Sequence, residues 1–246
     1  MTEKTVALVT GANKGIGLET ARQLALRGIR VVLSARDTER GMEAARVLQS
    51  EGLDVEFVRL DMEQPDDIVL VAEHIATTYG KLDILVNNAG IMIESDGWNV
   101  NTTATISEDA LRRTMEVNFF GVVMLTQALL PLIRKSAAGR IVNVSSILGS
   151  LTFHATRGSN TYNTKTFAYN TSKAALNSFT IHLAHELRDT PVRVNSAHPG
   201  WVQTDMGGSG ATLRVEEGVQ PILRFALAGN DSPNGTYMHN DTVYPW

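Results

Sequence analysis

Tyr169 and Lys173 stand four residues apart in Tyr169-Asn170-Thr171-Ser172-Lys173. In a helix that spacing stacks one side chain above the other on the same face. An ammonium held beside a phenol favours the phenolate, which turns a tyrosine into an acid/base usable near neutral pH. Taken alone, Y-x-x-x-K is common and mostly marks a tyrosine and a lysine sharing a helix surface. Its chemistry depends on what the rest of the chain brings to it. Tyr162 is a weak rival, because Thr166 rather than a lysine follows four residues on.

A second constellation lies near the start, in Thr10-Gly11-Ala12-Asn13-Lys14-Gly15-Ile16-Gly17. Glycines at a strand-to-helix bend permit a tight turn and let the backbone approach a pyrophosphate, whose charge meets the helix amino end. The spacing is G-x-x-x-G-x-G, so the generic G-x-G-x-x-G fingerprint is missed as written. Charge then selects the nucleotide. A carboxylate ending the second strand would grip the free 2′-hydroxyl of NAD. The chain has Leu33-Ser34-Ala35-Arg36 there, and Arg36 with Lys14 offers two cations suited to a 2′-phosphate. Asp37, next to Arg36, reads as a helix cap. NADP is the expected cofactor.

Positioning these residues requires a scaffold, and the pattern supplies one. Short β-branched runs (residues 5–10, 31–33, 55–60, 82–86, 140–144 and 192–196) alternate with amphipathic stretches (15–28, 38–50, 65–79, 107–135, 167–187 and 215–228). That alternation predicts a parallel sheet covered on both faces, in one domain spanning residues 1–246. A last short strand is expected near residues 235–238. Tyr169, Lys173, Leu176, Thr180, Leu183 and Leu187 fall along one stripe of a helix.

The chain's 246 residues carry a net charge of −4 and no dense basic tract, against a nucleic-acid partner. There are no cysteines, which excludes disulfides, thiolate metal sites and thiol catalysis. His182, His185 and Glu186 miss the H-E-x-x-H spacing, so no metal is expected. Met1-Thr2-Glu3-Lys4 lacks a signal-peptide pattern, and the longest apolar run, residues 122–133, is interrupted by Thr126, Gln127 and Pro131. A soluble cytoplasmic protein without membrane partners is expected. On that footing the six Asn-x-Ser/Thr triplets, at Asn101, Asn143, Asn170, Asn230, Asn234 and Asn240, carry no information.

The glycine loop, Asn87-Asn88-Ala89-Gly90, Asn118, Ser145-Ser146 and Tyr169/Lys173, in this order, resemble the short-chain dehydrogenase/reductase family. The resemblance covers nearly the whole chain. It implies a single Rossmann-like, doubly wound α/β domain with a mostly parallel seven-stranded sheet, helices on both faces, and a substrate-loop region around 200–228. The family's T-G-x-x-x-G-x-G loop fits Thr10 to Gly17 and accounts for the departure from the generic fingerprint. By position, Gly11, Asn13, Lys14, Gly15, Ile16, Gly17 and Arg36 would hold the cofactor's phosphates, and Asp61 with Met62 would lie at the adenine. Asn88, Ala89 and Gly90 would pack beneath the cofactor, and Pro199, Gly200, Val202 and Thr204 would meet its carboxamide and phosphates.

The resemblance also implies roles in catalysis. Tyr169 would protonate the developing alkoxide as hydride reaches a carbonyl carbon. Lys173 would lower the tyrosine pKa and bind the nicotinamide ribose. Ser146, selected over Ser145 by the following Ile147-Leu148-Gly149, would stabilise the oxygen, and Asn118 would hold a proton-relay water. Asn13-Lys14, Asn118-Phe119-Phe120-Gly121 and His198-Pro199-Gly200-Trp201-Val202 resemble the carbonyl-reductase branch, which generally uses NADPH. Ser146 and Tyr169 are 23 positions apart, further than in many relatives, so residues 150–167 are expected to form an extra loop.

A substrate pocket is expected at the carboxyl ends of the strands, bordered by residues 91–100, 147–160 and 201–212. Ile91, Ile93, Trp98, Leu148, Phe153 and Trp201 would make it apolar, suited to small-molecule carbonyls or alcohols with bulky or aromatic groups. The same residues would serve a secondary-alcohol dehydrogenase working in reverse, whereas a non-catalytic NADP(H) sensor would have no need of Ser146, Tyr169 and Lys173 together. His198, Asn87, Trp98 and Trp201 are equally explained by packing. Family habit implies a homodimer or homotetramer.

Overall fold

The computed structural model describes residues 4–95, 98, 100–229 and 231–246. Met1, Thr2, Glu3 and Asn230, and Asp96, Gly97 and Asn99 of the expected pocket border, lie outside the described residues.

Among the described residues, eight strands form one sheet in the order β3-β2-β1-β4-β5-β6-β7-β8. They are β1 (Val6–Val9), β2 (Arg30–Ala35), β3 (Val55–Arg59), β4 (Ile84–Asn87), β5 (Arg140–Val144), β6 (Arg193–Ala197), β7 (Tyr237–His239) and β8 (Thr242–Val243). Pairing is parallel through β7, and only β8 runs antiparallel. The expected seven strands become eight because residues 237–243 fold back as a tight hairpin. Its second strand has two residues, too few for any periodicity to register. Buried on both faces, β1, β4 and β5 show no exposed position, as a covered parallel sheet requires.

Helices α1 (Gly15–Leu26), α2 (Thr38–Ser50), α8 (Val215–Gly218) and α9 (Gln220–Ala226) serve one face, where Leu24, Leu48, Ile222 and Phe225 join Val31 and Val86 in a core. The helix expected over 215–228 is thus two pieces, with Pro221 at the start of the second. On the other face lie α3 (Pro65–Tyr79), α5 (Gly121–Ile133) and α7 (Phe167–Glu186), whose Ile75, Leu125, Leu129 and Leu183 pack on Leu8, Leu85 and Ile141.

The helix expected from 107 to 135 is interrupted as well. It comprises α4 (Glu108–Met115), a π-turn over Glu116–Phe120, and α5. Such turns mark places where the i→i−4 ladder is broken for another purpose. Here Asn118, within the turn, is bonded to groups outside its own helix. The whole run Glu108–Ile133 is long and apolar enough to cross a membrane by length and composition, which the apolar run alone did not suggest; half of its most apolar 18-residue window is buried inside this fold.

Residues 150–167, expected as a loop, include α6 (Leu151–Ala155), preceded by a 3₁₀ turn over Ile147–Gly149. Two serines start these turns: Ser146 Oγ accepts from Leu148 N at 3.2 Å, and Ser150 Oγ from Phe153 N at 3.2 Å.

Since β1 neighbours both β2 and β4, successive connections leave it in opposite directions. A crevice must open above the carboxyl ends of β1 and β4, where such sheets bind ligands.

Candidate active site

Thr10, which follows β1, ties the two sides of that crevice together. Its Oγ1 accepts from Asn88 N at 3.0 Å and Ala89 N at 2.9 Å, while Asn88 Nδ2 donates to Thr10 O at 2.8 Å and Gly11 O at 3.1 Å. Gly11 has φ +61°, and a Cβ there would lie 2.8 Å from Ala89 Cα. At Gly17 a Cβ would meet Asn88 Nδ2 at 2.5 Å and Gly11 O at 2.6 Å. Only bare backbone lets these turns approach so closely. Gly15 faces Thr204, so Thr204 reaches the same loop. These contacts leave a cradle of backbone at the amino end of α1, suited to a pyrophosphate.

Around the cradle, Arg36 is exposed just past β2. Asp37 is engaged elsewhere: its Oδ1 caps α2, accepting from Arg40 N at 3.0 Å. Lys14 Nζ is 2.5 Å from Asp205 Oδ2, an exposed pair that holds the aspartate carboxyl below its usual range. Asp61 follows β3, its N–H donating to Asp67 at 2.8 Å, and Met62 is buried beside it, its carbonyl closing on Gly121. Asn13 and Ile16 lie within the loop between β1 and the first turn of α1. Pro199 and Gly200 follow β6, and Val202 is buried and bridged to Leu213.

The tyrosine site is assembled by α7 lying along β5. Three side-chain bonds fasten them in register. Lys173 Nζ donates to Val144 O at 2.8 Å, Ser145 Oγ to Asn177 Oδ1 at 2.7 Å, and Asn143 Nδ2 to Thr180 Oγ1 at 2.8 Å. Positions 173, 177 and 180 share a helix face, so two residues of the stripe read from sequence, Lys173 and Thr180, are bolted down, joined by Asn177, which that stripe did not include. Asn87 is more than a strand end, since its Nδ2 donates to Asn143 Oδ1 at 2.8 Å and couples β4 to β5.

Tyr169 and Lys173 are both buried, and the ammonium lies 5.7 Å from the phenol ring centroid. Burial pushes the Tyr169 phenol up to about 12, opposed by its contact with the Ser146 side chain. Burial pushes the Lys173 ammonium down to about 8. The lowering expected from the neighbouring Lys173 is not found: burial dominates and only Ser146 opposes it, so the tyrosine rests protonated. Asn118 Oδ1 accepts from Ile91 N at 2.8 Å, and its Nδ2 donates to Ile91 O at 2.9 Å and Ser172 Oγ at 3.0 Å. Gly90 completes the junction: a Cβ there would lie 3.4 Å from Asn118 Oδ1 and 3.6 Å from Lys173 Nζ. The cradle and the tyrosine site therefore adjoin.

The short chain dehydrogenase family profile matches residues 5–212. The chain belongs to this family. Among its relatives, mouse carbonyl reductase [NADPH] 1 is 35% identical, with 99% of each chain covered. The (+)-neomenthol dehydrogenase of Arabidopsis thaliana is 34% identical, again with 99% of each covered. The crystal structure of NADPH-bound carbonyl reductase from chicken fatty liver superposes with a TM-score of 0.85 at 27% identity, covering 99% of this chain and 100% of that one.

Tyr162 does have an ammonium beside it, Lys165 Nζ at 5.2 Å from its ring, contributed three residues on; both line an open cleft with His154. His198 is buried, held down to about 3 by burial and by His239, which suits packing. His182 and His185 are exposed on α7. Trp98 meets the Tyr169 ring edge-on at 5.4 Å, and Trp201 Nε1 donates to Gly207 O at 2.8 Å. Phe153 packs on Tyr244, at 5.6 Å. Glu94 and Tyr237, which touch the catalytic candidates directly, had no sequence motif. The missing acidic residue in the first turn of α7 was the one available sign of the first.

Proposed function

We propose that this protein is an NADPH-dependent carbonyl reductase that converts a ketone or aldehyde to an alcohol, with Tyr169 as general acid. The observation that carries the reading is the buried Tyr169–Lys173 pair, with Ser146 beside the phenol and the glycine cradle adjoining at Gly90. The cradle suits a dinucleotide. Arg36 is exposed for a 2′-phosphate, while Asp37 is committed to its helix. Lys14 would exchange an exposed aspartate for that phosphate. The names of the mouse and chicken relatives support the same cofactor.

NADPH, when bound, supplies the hydride. Ser146 Oγ would donate a hydrogen bond to the substrate oxygen as negative charge develops there. Tyr169 Oη would hand its proton to that oxygen. A phenol held near 12 is protonated throughout the physiological range, the resting state an acid needs. Lys173, poised near 8, would stabilise the resulting phenolate and return a proton to it. Asn118, whose side chain is committed to Ile91 and Ser172, would shape the backbone along which water resupplies Lys173. Trp98, Leu148, Phe153 and Trp201 would give the pocket its apolar walls, within a single domain whose substrate-loop region, expected around 200–228, stops short of α8 and α9, since these pack in the core. A protein of this kind would work in the cytoplasm as a homodimer or homotetramer.

The test is an assay of NADPH and NADH oxidation over aliphatic, aryl and keto-ester carbonyls, with Tyr169→Phe alongside. NADPH-driven turnover of apolar or aromatic ketones, lost in Tyr169→Phe while NADPH still binds, is the expected result. Undiminished turnover by that variant, or turnover of charged sugars only, would overturn the reading.

A further inference from the structure

The helix that carries Tyr169 begins without a cap of its own. The Thr166 side chain accepts from no backbone N–H of α7, its Oγ1 instead donating to Asn170 Oδ1 at 2.9 Å, and the first turn holds no acidic residue. The first N–H groups of a helix lack intrahelical partners and carry the positive end of its dipole. Their partners come from a segment more than sixty positions earlier in the chain. Glu94 Oε1 accepts from Tyr169 N at 2.7 Å, and Oε2 from Ala168 N at 3.0 Å. Thr102 Oγ1 accepts from Phe167 N at 2.9 Å and donates to Glu94 Oε2 at 2.5 Å. Three successive N–H groups are thus satisfied by two side chains that follow β4.

The same stretch touches the reacting groups at two further points. Ile91 is clasped through both its N–H and its carbonyl by Asn118, and Trp98 lies against the Tyr169 ring. A carboxylate bridging two backbone N–H groups makes charge-assisted bonds, roughly twice as strong as neutral ones. One such bond goes to the N–H of Tyr169 itself, so the height and rotation of that residue are set at its own backbone.

We infer that Glu94 is a positioning residue of this reductase: its carboxylate fixes the first turn of α7, and with it the Tyr169 hydroxyl relative to Ser146 and the Trp98 wall. The inference rests on Tyr169 being the general acid. It is tested with Glu94→Ala and Glu94→Gln in the full chain. Gln keeps one acceptor oxygen for one of the two N–H groups, and so is the partial rescue. Kinetics with NADPH and the preferred ketone are compared with NADPH affinity by fluorescence titration and with the folded fraction by circular dichroism.

The expected result is a kcat lowered about tenfold to a hundredfold in Glu94→Ala, the scale of a misplacement near 1 Å, and partly restored in Glu94→Gln. NADPH affinity should stay within about twofold, because the cradle is held by other residues. A kcat unchanged in both variants would overturn the inference, as would a loss that tracks only the folded fraction. Should Glu94→Ala fail to fold, Glu94→Gln decides alone: reduced kcat at full folding supports the role, and wild-type kcat refutes it. Tyr169→Phe separates the two claims. If that variant is inactive while both Glu94 variants are normal, only the positioning role fails; if it is fully active, the reductase reading fails first.

Discussion

The Tyr237 hydroxyl donates a hydrogen bond to the carbonyl oxygen of Ser146, 2.5 Å away, from a fully buried position on β7. The last strands thereby reach the residue proposed to hold the substrate oxygen. Tyr237 is itself stacked on Trp246, whose carbonyl oxygen accepts from Thr152 N at 3.1 Å and Oγ1 at 2.8 Å. Ser146 and the helix after it are fixed from behind by residues about ninety positions later.

Tyr237→Phe keeps the ring and leaves the Ser146 carbonyl without its donor. A loss of about 1 to 3 kcal/mol is expected for a buried acceptor left unsatisfied, read from urea unfolding. Ser146 should shift with its carbonyl, so kcat for ketone reduction should fall severalfold while NADPH affinity holds. An unchanged kcat would confine the hydroxyl to stability.

Lys173 predicts a pH dependence. Its folded pKa, about 8, lies below the ordinary 10.5, so the unfolded chain binds the proton more tightly. The cost of burying the charge is present in full below about pH 8 and is relieved as pH rises toward 10.5. Relative to Lys173→Met, which carries no charge to bury, the parent should therefore gain stability as pH rises through that window, whatever the lost bond to the Val144 carbonyl costs the variant. In the active protein, kcat/KM for reduction should fall as pH rises through about 8, well before the phenol titrates. Denaturation midpoints and rate profiles across pH check both.

Arg36 and Asp37 are neighbours with separable roles. Arg36→Ala should raise KM for NADPH about tenfold to a hundredfold, with NADH little affected, because it removes a charged bond to phosphate. Asp37→Ala should cost about 1 kcal/mol through the lost cap of α2 and leave the NADPH preference intact. Equal loss of preference in both variants would mean that Asp37 shares in recognition.

Gly17→Ala tests the cradle. Its Cβ would stand 2.5 Å from Asn88 Nδ2, 2.6 Å from Gly11 O and 2.9 Å from Ala12 Cα, two of them backbone atoms with little room to move. NADPH affinity should drop by about tenfold or more, with a smaller loss in thermal stability. Titration of NADPH fluorescence reads the first directly.

The amino-acid order determined a good deal unaided. Alternating apolar runs, the Thr10–Gly17 loop, and the 3.6-residue stripe through Tyr169, Lys173, Leu176 and Thr180 are local patterns, set by backbone geometry within a few residues, so the sheet and the candidate tyrosine were legible. The eighth strand, the split of residues 107–135 by a π-turn and the helix over Leu151–Ala155 were not, because each depends on partners distant in sequence or on side-chain caps. Tertiary structure alone decided the state of the site. Burial sets the Tyr169 phenol near 12 and the Lys173 ammonium near 8, a reversal of what proximity in water would give. It also brought Glu94 and Tyr237 to Tyr169 and Ser146, across 75 and 91 positions of chain. No periodicity encodes such contacts; they exist because desolvated N–H and C=O groups must find partners wherever the fold places them.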